Sequence, residues 1–229
     1  MSRENHAPYA RVSLEKTMNP LEKHILPNRA GFDSDPFGYS GLAWHKWSAA
    51  RTIAGFPVDL TKPPTSEDLK SPVLWLTQAH AMSEAARIVI QNQPQLTTLP
   101  AFVRGVCDCQ YCAIGLMLVG YSLEICLKAM LIMKLGIKVY MSEEQKYRHH
   151  RLDQLSEFVP NLTAKDKVIL NILTHFVIWA GRYPDPGSGR EENVEEIFNL
   201  SEKHHVSAHD LFDLAARVMR HSQQVATAL

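Results

Sequence analysis

The chain has 229 residues, with 24 Lys plus Arg against 24 Asp plus Glu and a 45% hydrophobic share. That length and apolar content admit one domain with an extension and a true core. The charge balance excludes whole-surface steering toward nucleic acid or anionic lipid and leaves only local basic patches. The N-terminal MSRENHAPYARVSLEK has no apolar run, so no secretory signal is expected. Four cysteines, Cys107 to Cys126, cluster on one predicted helix rather than along the chain. That is not a disulfide framework, and a reducing cytoplasm is expected.

Residues 1–70 read as an irregular N-terminal arm. Seven of the thirteen prolines fall there (Pro8, Pro20, Pro27, Pro36, Pro57, Pro63, Pro64), which forbids long regular elements. The same stretch carries Tyr9, Phe32, Phe37, Tyr39, Trp44, Trp47 and Phe56, more rings than a disordered tail holds. An extended arm whose rings dock on the bundle or on a partner chain is expected, with a short helix around Gly41–Ala54. Ser71-Pro72 then opens a helix, Ser as N-cap and Pro in the first turn. Its apolar stripe is Trp75, Ala79, Met82, Ala86 and Val89, and Asn92 and Pro94 end it.

After the connector Gln93–Pro100 comes the stretch Gly105–Gly136, in which Glu124 and Lys128 are the only charges between Ala113 and Met133. A helix apolar on nearly every face must be buried on nearly every face. Its length suits a membrane span. The two mid-segment charges argue against lipid, at roughly 2.5–3.5 kcal/mol each on insertion scales. The spacing therefore predicts the central helix of a bundle with no membrane partner, closed by Gly136. Ser142 with Gln145 predicts a capping box for the next helix, and Leu152, Leu155 and Val159 share its inner side. Thr163 with Asp166 starts another helix with the stripe Ile169, Ile172, Leu173, Phe176 and Ala180. The breaker-rich loop Gly181–Glu192 follows. Ser207 with Asp210 caps a last helix faced by Leu211, Leu214, Ala215, Val218, Val225 and Leu229. The predicted fold is all-α, an up-and-down bundle of four to five helices over residues 71–229.

Three stretches carry a resemblance: Gly120-Tyr-Ser-Leu-Glu-Ile-Cys-Leu-Lys128 on the central helix, His150-Arg-Leu-Asp-Gln-Leu155 after it, and Ala180-Gly-Arg-Tyr-Pro184. In order and spacing they resemble the HEPN superfamily of small all-α prokaryotic domains, over roughly Pro72 to the C-terminus. The resemblance implies a bundle that dimerises through its helices. It also implies a setting in RNA cleavage, toxin–antitoxin pairs, phage defence or nucleotide binding. Catalytic members carry an Arg followed by a His across a gap of four to six residues. Here Arg148 stands directly before His149 and His150, and Arg217 precedes His221 with three between. That departure points away from ribonuclease activity.

Glu124 and Lys128 are four apart with Glu first, the favourable order for an intrahelical pair. In apolar surroundings such charges are either paired structurally or line a polar pocket. Lys146-Tyr-Arg-His-His-Arg151 is the most basic run. It is either a solvated helix start or a site offering Arg148 and Arg151 to phosphates and His149 or His150 to proton transfer. Arg182 and Tyr183 either finish a helix end or present a guanidinium and a phenol on a polar loop. The expectation is that Glu124, Lys128, His150 and Arg182 face one cavity, with Arg151 and Tyr183 as further ligand-binding candidates. Cys107, Cys109 and Cys112 have close thiol spacing, but only Cys109 and Cys112 share a helical face and no fourth ligand adjoins. Buried packing is preferred over metal binding there. The His204, His205 and His209 group reads as solvated. No phosphate loop, nucleophile elbow or dinucleotide fingerprint occurs, and no cofactor is expected.

The leading expectation is a non-catalytic, homodimeric, cytoplasmic module binding RNA, a nucleotide or a partner protein such as a nucleotidyltransferase. The alternative is a metal-independent endoribonuclease. It would use His150 or His149 as general base and Arg182 or Arg148 against the phosphorane charge.

Overall fold

The computed structural model describes residues 20–56, 58–59 and 61–228. The arm's Pro8, Tyr9 and Pro57, and Leu229 of the last stripe, lie outside the described residues. Every regular element among the described residues is a helix, with no strand among them. They divide into two compact units, one ending at Thr65 and one beginning at Ser66, where the sequence reading sets the boundary after residue 70.

The first unit holds α1 (Pro20–Ile25), α2 (Arg29–Ser34), α3 (Pro36–Gly41) and α4 (Ala43–Ile53). The described arm is thus a string of short helices rather than extended chain. Its prolines explain both facts. Pro20 and Pro36 stand at helix starts, where a missing N–H costs nothing, while Pro27 separates two helices. Asn28 and Asp35 accept N-terminal amides from Ala30 and Gly38. The expected helix around Gly41–Ala54 is α4.

The second unit begins with α5 (Ser66–Leu69) and α6 (Pro72–Gln91), then α7 (Ala101–Leu135). Ser71 is the N-cap of α6 by backbone, but its hydroxyl makes no capping bond. α6 and α7 form a long hairpin, tied where Ser122 Oγ donates to the Ala79 carbonyl at 2.8 Å. Among the described residues α7 is the one helix long and apolar enough to cross a membrane. Inside the protein, 67% of its most apolar window is buried. It ends at Gly136 (φ +79°, ψ +151°), a backbone conformation that a side chain disfavours.

Three short helices follow: α8 (Ile137–Ser142), α9 (Glu144–Tyr147) and α10 (Leu152–Leu155). The capping box expected at Ser142 and Gln145 is absent. Ser142 ends α8, and its hydroxyl donates back to the Val139 carbonyl instead. α11 (Ala164–His175) starts with the expected box: Thr163 accepts from Asp166 N–H, and Asp166 accepts from Thr163 N–H. It runs into one π-helical turn, Phe176–Ala180. α12 (Glu192–Lys203) and α13 (Ala208–Thr227) complete the unit, the latter with the Ser207–Asp210 box. The core gathers round the second half of α7, where Leu123, Leu127, Met130 and Ile132 meet Leu152, Leu155, Leu170, Leu173, Leu214 and Val218.

Candidate functional site

Of the three buried charged residues among those described, Asp166 caps α11, and the other two, Glu124 and Lys128, stand on α7 inside this core. Glu124 is 5% and Lys128 9% exposed, and Lys128 Nζ donates to Glu124 Oε1 at 2.7 Å. An i, i+4 pair satisfies only part of each group, so both reach further for partners. Lys128 also donates to the His149 carbonyl at 3.0 Å, and Glu124 Oε2 meets His150 Nδ1 at 2.9 Å. A buried acid and base on α7 therefore hold the segment between α9 and α10 by one carbonyl and one imidazole.

Against the Glu124 carboxylate oxygen, which accepts, His150 Nδ1–H is the donor, and Nε2 is the ring's other edge. The side chain of His150 is 48% exposed, leaving that second edge to solvent. The Tyr121 ring packs edge-on against it at 6.1 Å and 89°, and the Tyr121 hydroxyl donates to the Val177 carbonyl at 3.3 Å. Tyr121 escaped the sequence reading, although standing three residues before Glu124 places it on the same helical face.

His149 points differently. Its Nδ1 accepts the Arg151 N–H at 3.1 Å. Burial, helped by the Lys128 and Arg151 charges, lowers its pKa below the ordinary histidine value. Next along, Leu152 N–H donates to Thr174 Oγ1, and Leu152 and Leu155 fill the core. The segment is thereby held at its middle and at its C-terminal end. Arg148 and Arg151 remain exposed, Arg151 lying 3.6 Å from Asp153.

The structure brings together Glu124, Lys128 and His150, but not Arg182. The Arg182 guanidinium lies over the Tyr183 ring, 5.2 Å from its centroid, and donates to the Tyr183 hydroxyl at 3.3 Å. Both residues line a separate hollow of about 460 Å³ beside Cys109 and Trp179. Gly181 is packed on Ala113 and Met117, too close for any side chain. Met117 stands seven residues before Glu124, about 10 Å along the helix axis. Arg182 follows the π turn Phe176–Ala180 after Gly181 alone, at the level of α7 that carries Ala113 and Met117 rather than Glu124.

The thiols are free: Cys107 is half-buried, Cys109 and Cys112 are exposed and Cys126 is buried. Burial raises the Cys126 pKa to about 11, opposed by a hydrogen bond with Ser222. Cys109 and Cys112 thus do not pack as core residues. Among the described residues no three His, Cys, Asp or Glu side chains gather as a metal site. Arg217 and His221 form no pair either. Arg217 is held by Asp166 at 2.6 Å and Asp213 at 2.8 Å, while His221 Nδ1 meets Gln224 Oε1 at 3.0 Å. Burial opposes ionisation of Asp166, but the Arg217 and Thr163 hydrogen bonds outweigh it and lower its pKa.

Compared with protein-family models, with curated proteins and with solved structures, the chain matches none.

Proposed function

We propose that the chain is a non-catalytic binding module whose basic segment Lys146–Arg151 takes the phosphates of RNA or of a nucleotide. The observation that carries this reading is the clamp of Glu124 and Lys128 on His150 and His149. A segment ordered in advance loses less entropy on binding, and here it presents Arg148, Arg151 and the free edge of His150 together. Arginine is the side chain suited to phosphate oxygens. The HEPN likeness belongs to the same proposal. It is supported by the all-α class and by the Glu124–His150 contact, which joins two of the three stretches that carry the likeness. A homodimer in the cytoplasm, paired with a partner protein in a toxin–antitoxin or defence setting, is the context that likeness suggests.

A second reading has its own observation. A carboxylate on Nδ1 with Nε2 free is the arrangement that lets an imidazole move protons, so the endoribonuclease alternative keeps His150 as general base. Of its two arginines, Arg182 is occupied at the other hollow, which leaves Arg148.

Single-stranded RNA titrated into the purified full chain in EDTA, over a range of salt, tests both. The wild type binds without cleaving. Arg148→Ala lowers the slope of log affinity against log salt by about 0.7, one phosphate's worth on a single strand. Cleavage by the wild type that vanishes in His150→Ala would establish the second reading, and a salt-independent interaction would remove the first.

A further inference from the structure

Beside the clamped segment lies a cleft of about 610 Å³ between α10 and α11, and Arg151 belongs to its wall. Asp153 and Glu157 share that wall, four residues apart. Lys167 and Asn171, also four apart, face them from α11, and Asn161 closes the turn between. Leu162 and Val168 add apolar surface.

Four polar side chains here are unspent. Among the described residues, no hydrogen bond or ion pair within the chain engages the side chains of Glu157, Asn161, Lys167 or Asn171. The Arg151–Asp153 approach, at 3.6 Å, is a loose one. Elsewhere on α11 the polar side chains are engaged, as with Asp166 on Arg217 and Thr174 on Leu152 N–H.

The cleft's formal charge cancels, two cations against two carboxylates, so neither a bare polyanion nor a bare cation suits it. The set matches a ligand with three different parts. Carboxamides pair with the donor and acceptor edge of a base. Carboxylates accept from a ribose diol, as acidic residues do in dinucleotide sites. A guanidinium and an ammonium take a phosphate. We infer that the α10–α11 cleft binds one ribonucleotide unit: base at Asn161 and Asn171, ribose at Asp153 and Glu157, phosphate at Arg151 and Lys167. This rests on the proposed function and deepens it, since Arg151 joins the cleft to the phosphate-binding segment. The unit is a free 5′-ribonucleotide or one residue of an RNA strand.

Calorimetric titration of the full chain with AMP, CMP, GMP and UMP, their 2′-deoxy forms, and single-stranded RNA separates these sources. At least one ribonucleotide, free or within a strand, binds with 1:1 stoichiometry. Asn171→Leu and Lys167→Glu each weaken that binding about tenfold, and removing the 2′-hydroxyl weakens it by a similar factor. Arg148→Ala weakens RNA alone. Lys167 is exposed, so its charge reversal leaves folding intact, which circular dichroism checks for both variants. RNA binding that responds to Arg148→Ala but not to either cleft variant overturns the cleft and leaves the binding module standing. Mononucleotide binding that the cleft variants abolish, with no RNA affinity, keeps the cleft and removes the RNA module. Silence of the wild type toward every probe removes both.

Discussion

The two halves of α7 have similar composition and opposite environments. From Val119 to Met133 nearly every side chain is buried, including Glu124 and Lys128. From Ala101 to Ile114 the helix is equally apolar in appearance, yet Phe102 is 84%, Val106 58% and Ile114 41% exposed. α10, α11 and α13 contact α7, and the core they build with it lies along its second half. Hydropathy along a helix therefore says how much burial it can accept; the neighbours decide how much it receives. The same covering converts an ordinary i, i+4 ion pair into a buried clamp on His149 and His150.

The largest expected effect tests that conversion. Glu124→Ala leaves the Lys128 ammonium buried without its partner and destabilises the protein by about 3–5 kcal/mol in urea unfolding. Asp108→Ala in the open half changes stability by less than about 0.5 kcal/mol. Equal effects would mean that the two halves are alike.

A smaller contrast uses glycine. A Cβ on Gly120 would lie 2.5 Å from Val177 Cγ2, whereas one on Gly105 meets nothing within 4 Å. Gly120→Ala overpacks the core at a cost of about 1–3 kcal/mol. Gly105→Ala removes a helix-interior glycine and stabilises by about 0.5–1 kcal/mol. Opposite signs in the melting temperature are the expected result.

The smallest effect is one of pH. His149 sits against Lys128 of the buried half, and burial holds its pKa below 6.5 in the folded state. Below 6.5 the unfolded chain therefore binds more protons at this position, so its contribution to stability is full above that value. It is lost as pH falls through the lowered folded value. His175, whose pKa burial also lowers despite the opposing Glu196, adds in the same direction. His149→Asn, which keeps an acceptor for the Arg151 N–H, makes the fall in urea midpoint between pH 7 and 5 shallower. An unchanged slope would assign the effect to His175.

How much of this could be read from residues alone varies along the chain. Local signals were sufficient where the competing forces are local. Thr163 with Asp166 and Ser207 with Asp210 make their boxes because both partners lie within one turn. The same pattern at Ser142 and Gln145 fails because Ser142 already ends α8, its hydroxyl donating to the Val139 carbonyl, and Gln145 lies inside α9. The Glu124–Lys128 pair is likewise local, and its burial followed from the apolar surroundings.

Contacts across elements were a different matter. Nothing in the order of residues shows that Lys128 reaches the His149 carbonyl, that Tyr121 backs His150, or that Arg182 lies beside Cys109. The cleft on α10 and α11 was equally hidden, since Lys167 and Asn171 look like an ordinary solvated face until the opposite wall is in place. The helical class, the central position of α7 and the acid–base pair inside it came from composition and periodicity, because burial of apolar surface and backbone hydrogen bonding act over a few residues at a time. Which half of α7 is covered, and which polar groups end as neighbours, came from packing alone, because those contacts depend on how separate helices are placed against one another.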